Sequence, residues 1–115
     1  MIRPINIAFH QEKIFVVYLF LDSQEVKSQV ALDFLYQQYV NTCRQKLNSK
    51  YIFGVAKFSE IMQEMGCIRY LPRKKENPGR HRFWKIPETI PVETAFDYIS
   101  RETDRLIERK KQENK

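Results

Sequence analysis

The hydrophobic and polar positions divide the chain into segments of different period. Residues 5–21 are apolar apart from a polar break at 10–13, and their Ile, Phe, Val and Tyr side chains favour strands over 5–9 and 14–20. A helix over 12–21 is the alternative, because a short run that is apolar on all sides has no diagnostic period. We therefore predict an N-terminal strand or hairpin and keep the helix over 12–21 as the alternative.

Two helices are predicted in the middle of the chain. The first covers about 24–47, a stretch without Gly or Pro that follows a candidate N-cap at 22–23. Its apolar side chains recur at every fourth position and predict one buried face: Ala31, Leu35, Tyr39 and Cys43, with Leu32 and Phe34 beside them. The second has apolar side chains at helical spacing from Val55 to Met65, and Gly66 ends it.

After Gly66 the period changes to that of strands. Residues 67–71 and 80–86 are predicted to pair as a β-hairpin, because the sequence Asn-Pro-Gly at 77–79 is a strong turn signal. Pro91 suits the first turn of a last helix with a partial apolar stripe, and the final residues are expected to fray into solvent.

The net charge of +6 lies in one short segment of the chain. Residues 69–85, called here the basic segment, carry seven basic side chains against one acid, whereas the remaining residues carry thirteen of each sign. A neutral body with one concentrated positive segment is typical of a surface that binds a polyanion. A solvated surface loop is the plainer interpretation of such a run.

Composition excludes several classes of protein. A chain of 115 residues is long enough for one domain, and its longest unbroken apolar run has eight residues, far short of a membrane span. No secretory signal is recognised, and Cys43 and Cys67 show no zinc-ligand spacing with His10 and His81. We expect two reduced, buried thiols, no metal, no cofactor and a cytoplasmic protein, or a nuclear one in a eukaryote.

Catalysis is not expected. Glu60 and Glu64 lie one helical turn apart, but no nucleophile or metal-ligand set is arranged with them. The phosphate-binding loop Gly-x-x-x-x-Gly-Lys-Ser/Thr is absent from the sequence, so ATP hydrolysis by this chain alone is excluded.

Two helices followed by a basic hairpin form the plan of a helix-turn-helix with a β wing. Residues 34–86 resemble the winged-helix domain at the C-terminus of phage, plasmid and poxvirus-type primase–helicases, and they are similar to the regulatory factor X DNA-binding domain. The residues that carry the resemblance are Tyr36, Tyr39 and Cys43 on the first helix, 56–62 on the second, Gly66, and 80–86 in the hairpin. The link at 50–54 is short for a separate middle helix, and no helicase part is present.

The resemblance implies DNA binding in replication or transcription regulation, with the wing doing much of the groove reading. The expected fold is α+β: a winged helix-turn-helix over 24–87, an apolar strand or hairpin extension over 1–23, and a C-terminal helix with a frayed basic tail over 88–115. The expected function is double-stranded DNA binding without catalysis.

The candidate contacts divide by chemistry. Lys74 and Lys75 suit phosphates, whereas Arg80 and Arg82 suit bidentate recognition of guanine. The full set expected to contact DNA is Arg69, Arg73, Lys74, Lys75, Arg80, His81, Arg82 and Lys85 in the basic segment, with Lys57 and Ser59 on the second helix as secondary contacts. The exposed face of that helix carries two acids against one base, which favours the wing over the helix.

Alternatives remain for the partners. We expect a homodimer through residues 14–21 and the C-terminal helix, although 14–21 has a second interpretation as a core element. A replication helicase or primase is a further expected partner, and no membrane is expected. The runner-up functions are a winged-helix protein-docking module and a single-stranded nucleic-acid binder that uses Phe83 and Trp84, although Trp84 is expected to pack in the core.

Overall fold

The computed structural model describes residues 6–70 and 83–113. These residues form an α+β structure that is mostly helical, with one small antiparallel sheet. The elements are α1 (Ile7–Asp22), β1 (Val30–Ala31), α2 (Leu32–Lys46), a 3₁₀ turn (Ser49–Tyr51), α3 (Val55–Glu64), β2 (Ile68–Tyr70), β3 (Phe83–Lys85) and α4 (Val92–Glu113).

The sheet has the strand order β1-β3-β2, with both pairings antiparallel. The predicted pairing of the two strands at the ends of the basic segment is confirmed, with Arg69 opposite Trp84 in the register. The predicted tip of the hairpin lies outside the described residues. Strand β1, which pairs Val30 with Trp84, was not predicted because two residues carry no alternation to detect.

The predicted N-terminal strand or hairpin is wrong, and the helical alternative is correct. The side chain of Asn6 accepts a hydrogen bond from the backbone N–H of Phe9 at 3.0 Å and so caps α1 at its start. The helix packs against both α3 and α4. Because neighbours cover α1 on two sides, its apolar residues spread around the helix instead of forming one stripe.

Residues 14–21 are a core element. Five of these eight side chains are buried in this chain: Ile14, Val17, Tyr18, Phe20 and Leu21. They cannot also provide a dimer interface without leaving that core. The homodimer stays a prediction, and its surface must come from residues that the chain leaves exposed.

Helix α2 begins at Leu32, eight residues later than the sequence indicates. The backbone before it pairs with β3 instead: Ile86 N–H donates to Lys27 O at 2.8 Å, and β1 follows directly. The Lys27 ammonium donates to the carbonyl oxygens of Asp22 and Glu88 and fixes this connection. Tertiary hydrogen bonds thus override the local helical tendency of 24–31.

The core lies between α1, α2, α3 and the inner face of the sheet, where Tyr39, Phe58 and Trp84 are its largest side chains. Cys43 and Cys67 are free thiols buried in it, as predicted, and burial raises the pKa of Cys67 to about 12. At the other end of the chain, α4 continues to Glu113.

Gly66 ends α3 as predicted. Its φ is 92°, and the N–H groups of Gly66 and Cys67 donate to the carbonyl oxygens of Gln63 and Met62. These two bonds form a Schellman motif, which requires a left-handed residue at this position. They close the helix and turn the chain directly into β2.

Gly66→Ser should therefore destabilise the protein by about 1–2 kcal/mol, because a side chain is strained in the left-handed region. Gly54→Ser is the matched control. Gly54 is the N-cap of α3 with φ −65°, open space surrounds it, and Ser is a better N-cap than Gly. Urea unfolding should show a lower free energy of unfolding for Gly66→Ser and no decrease for Gly54→Ser. An equal decrease in both variants would contradict this account of the helix end.

Candidate nucleic-acid interface

Strands β2 and β3 hold the two ends of the basic segment side by side. Their Cα partners are Ile68 with Lys85, Arg69 with Trp84, and Tyr70 with Phe83. Since adjacent antiparallel strands run in opposite directions, the last residue of β2, Tyr70, and the first residue of β3, Phe83, lie at the same end of the sheet. Arg69 and Lys85 are exposed on these strands, whereas Arg73, Lys74, Lys75, Arg80, His81 and Arg82 lie outside the described residues.

The two faces of the sheet have different environments. Trp84 points into the core and is only 1% exposed, which confirms the prediction that it packs there. Its indole Nε1 is buried and has no acceptor within the described part of the chain. Lys85 follows on the opposite face, which also carries Phe83 and the exposed Ile68. Trp84 is therefore not placed to stack on a base.

Helix α3 does not present Lys57 freely to solvent. The Lys57 ammonium donates to Glu60 at 2.6 Å and to Glu102 of α4 at 2.9 Å. Two further bonds join the helices, from Tyr98 to Glu60 and from Arg101 to Glu64, and Arg105 donates to Glu102 within α4. We call this set the α3–α4 ionic cluster: Lys57, Glu60, Glu64, Tyr98, Arg101, Glu102 and Arg105.

The electrostatics of this cluster stabilise its charged forms. Glu102 is the buried charged side chain among the described residues, and Lys57 and Arg105 bind its two oxygens. Burial by itself lowers the pKa of Lys57, but the hydrogen bonds to Glu60 and Glu102 outweigh it and raise that pKa. The bonds from Lys57 and Tyr98 lower the pKa of Glu60. Lys57 is thus a permanent cation with two carboxylates already bound to it.

The cluster changes the charge that α3 is expected to present to solvent. It contains three cations and three carboxylates, and the two acids of α3 are neutralised by Lys57 of the same helix and by Arg101 of α4. The surface that α3 leaves exposed on its other side is formed by Val55, Ala56 and Gln63, which carry no charge. Ser59 is half-buried. Neither predicted secondary contact is a free, fully exposed side chain.

The sequence did not identify the α4 members of this cluster. Glu102 and Arg105 are three residues apart, a spacing that indicates a helical ion pair and that could have drawn attention to them. Nothing local indicates that Lys57, 45 residues earlier, joins the pair. That contact depends on how α4 packs along α3.

An open groove lies between the α1–β1 connection and α2. Its volume is about 600 Å³, and its lining includes Val26, Phe34 and Phe83. Phe34 was predicted beside the buried face of α2, but it is 62% exposed, because α2 packs through Leu35, Tyr39 and Cys43 one position further around the helix. Phe83 is half-buried there. Five of its ten lining residues are apolar and five are polar, and it adjoins β3.

His10 on α1 lies near α3 and α4, where Lys57 and Glu102 influence its pKa. Burial, together with the nearby charges of Lys57 and Lys13, lowers its pKa below the ordinary value of 6.5. Its ring packs edge-on against Phe53. A neutral imidazole at this position indicates a core histidine and not a phosphate ligand.

Comparisons of the chain with protein-family models, curated proteins and solved structures gave no match. The resemblance of residues 34–86 to winged-helix domains therefore stays a prediction. No group of three or more His, Cys, Asp or Glu side chains within residues 6–70 and 83–113 is arranged to hold a metal ion. In the same part of the chain, none of the helices has the length and apolar character needed to cross a membrane.

Proposed function

We propose that this protein binds double-stranded DNA without catalysis, as a winged-helix protein of DNA replication or transcription regulation. The observation that carries the proposal is the position of the charge excess. Residues 69–85 contain the entire net charge of +6, and the strands at their two ends pair directly with each other.

The order of elements supports the class of protein proposed. Helices α2 and α3, joined by a short link, precede the strand pair, and β1 completes a three-stranded sheet on β3. A helix-turn-helix followed by a basic hairpin brings cations to phosphates beside a helix that faces a groove. In the described residues, α2, α3 and the β2–β3 pair follow one another in the order that this class requires, which supports the proposal.

Charge distribution favours the basic segment over α3 as the main contact. Lysine and arginine side chains that neutralise phosphates release counterions, so the cations available to DNA determine most of the affinity. On α3, Lys57 is bound by Glu60 and Glu102, and its pKa is raised by them. Arg69 and Lys85 are exposed and have no ion pair within the described residues.

The open groove favours a second candidate function, a protein-docking module. Val26 and Phe34 are 66% and 62% exposed there, and exposed apolar clusters of this kind occur at protein interfaces. The groove also contains Phe83, so a single-stranded nucleic acid could stack on that ring, although Trp84 is buried and cannot join it.

The test is a salt titration of binding to matched duplex DNA, single-stranded DNA and RNA, measured by fluorescence anisotropy. We expect tightest binding to the duplex, with a logarithmic salt slope of about −4 to −6 if most cations of the basic segment reach phosphates. Preference for the single strand would replace the duplex proposal by the stacking one. Absence of binding to all three at low salt would refute nucleic-acid binding and leave the docking function.

A further inference from the structure

We propose that a second copy of this chain binds along the exposed face of the α1–α4 helix pair, with the two α4 helices antiparallel. This interface goes beyond DNA binding and does not depend on it. It is argued from three features of α4: its unsupported end, its apolar stripe and its charge distribution.

Within residues 6–70 and 83–113, the register of α1 against α4 leaves the end of α4 without a packing neighbour. The Tyr18 hydroxyl donates to Ile90 O at 3.2 Å, and the ring of Phe15 stacks on that of Phe96 at 5.9 Å. Gln11 Nε2 donates to Thr103 Oγ1 at 2.8 Å, so α1 and α4 are antiparallel and Ile7 lies about level with residue 107.

Helix α4 therefore extends past the first turn of α1 by its last six residues, about 9 Å at 1.5 Å per residue. Side chains 107–112 are all exposed. Short helical segments without a packed face are marginal in water, so a partner for this end would stabilise it.

An apolar stripe runs along the exposed side of α4. Val92, Phe96 and Ile107 are 36%, 54% and 39% exposed, and their spacings of four and eleven residues place them on one helix face. On α1, Leu19 is 49% exposed and lies one turn beyond Phe15. These residues are four of the nine large hydrophobic side chains that the described residues expose.

The charges on α4 identify the occupant. Its first two turns carry Glu93 and Asp97 and no base, whereas its last six residues carry three bases, Arg109, Lys110 and Lys111, against the two acids Glu108 and Glu113. An antiparallel pairing centred between residues 101 and 102 brings Phe96 against Ile107 of the second copy and sets Glu93 level with that copy's Lys110. A two-fold interface requires this self-complementarity.

The same acid-first, base-last distribution also complements the dipole of α4 itself. The dipole gives no reason for exposed aromatic and aliphatic side chains on one face. The pairs Phe96–Ile107 and Glu93–Lys110 share one centre, which favours a copy of α4 over an unrelated helix, and Val92 lies level with Lys111 of that copy.

Sedimentation equilibrium without DNA tests the proposal, so its outcome is separate from that of the DNA-binding proposal. We expect the unmodified chain to dimerise. Phe96→Asp should raise the dimer dissociation constant about 100-fold or more, since the two-fold symmetry removes two buried rings. Ile107→Asp is the second variant, placed level with the start of α1, and should act in the same direction. Far-UV circular dichroism checks that both variants keep their helices.

Charge reversal tests the proposed pairing of Glu93 with Lys110 of the second copy directly. Glu93→Lys alone should weaken the dimer about tenfold, because it opposes like charges twice. Adding Lys110→Glu and Lys111→Glu to that variant should restore the affinity to within about threefold of the parent. Glu25→Lys, an exposed acid away from α4, is the control and should change nothing.

A chain that stays monomeric at every concentration would overturn the proposal. So would a dimer that tolerates both Phe96→Asp and Ile107→Asp, or a charge-reversed triple variant that stays as weak as Glu93→Lys alone.

Discussion

Replacing Arg80 and Arg82 together by alanine should weaken binding to duplex DNA about 10- to 100-fold at moderate salt. Each phosphate contact removed lowers the logarithmic salt slope by about 0.9, so the double variant should lose nearly two units of slope. If either arginine recognises guanine, discrimination between duplex sequences should fall as well. Anisotropy titrations of parent and variant on one duplex measure all three quantities.

The control for this variant removes the same charge elsewhere. Arg44 and Lys46 lie in the last turn of α2 and are both exposed, so Arg44→Ala with Lys46→Ala leaves the basic segment intact. We expect the control to keep the salt slope of the parent. A control that loses as much affinity as Arg80→Ala with Arg82→Ala would mean that net charge, and not the wing, drives binding.

The strand pair around the basic segment was predictable because its signals are local. A change of period after Gly66 and a strong turn sequence between two alternating stretches are both visible in the chain itself. The Schellman ending of α3 was predictable for the same reason, since it requires a residue that tolerates positive φ.

The start of α2 and the nature of α1 were not predictable from local pattern. Residues 24–31 contain no helix breaker, yet Lys27 O accepts from Ile86 N–H and Val30 pairs with Trp84 of β3, so neither residue joins α2. In α1 the near-continuous apolar run hides the helical period, because α3 and α4 cover it from two sides. Both errors have one origin: the packing partners that decide the outcome lie more than 25 residues away in the sequence.

The candidate site also divides into features that the local sequence reveals and features that depend on distant packing partners. The sequence locates the basic segment by charge alone, but it treats Lys57 as an exposed cation for DNA and Glu60 as an exposed acid that repels phosphates. The structure pairs them with each other and joins them to Tyr98 and Glu102 of α4. Only the packing of α4 along α3 reveals that the acids of α3 are neutralised.

Tyr39 fixes where α3 begins relative to α2. Its hydroxyl donates to Tyr51 O at 2.9 Å and accepts from Phe53 N–H at 3.0 Å, and the side chain is fully buried. Phe53 directly precedes Gly54, the N-cap of α3. One hydroxyl thus satisfies both a donor and an acceptor of the link between the two helices, and burial raises the pKa of Tyr39 so that it stays protonated.

Tyr39→Phe should cost about 2 kcal/mol of unfolding free energy. The variant keeps the ring, which stacks on Phe58 at 4.7 Å, so the loss reports the hydroxyl. It leaves the Phe53 N–H unpaired in the core, and an unsatisfied buried backbone group costs about 1–3 kcal/mol. Urea unfolding with an unchanged m-value measures the difference.

Tyr36→Phe is the matched comparison on the same helix. Its hydroxyl makes one bond, donating to Phe53 O at 2.8 Å, and the side chain is half-buried, so water can take the place of the lost donor. We expect a cost below about 1 kcal/mol. If the two substitutions cost the same, or if Tyr36→Phe costs more, the link is held by ring packing and not by the two-sided hydrogen bonding of Tyr39.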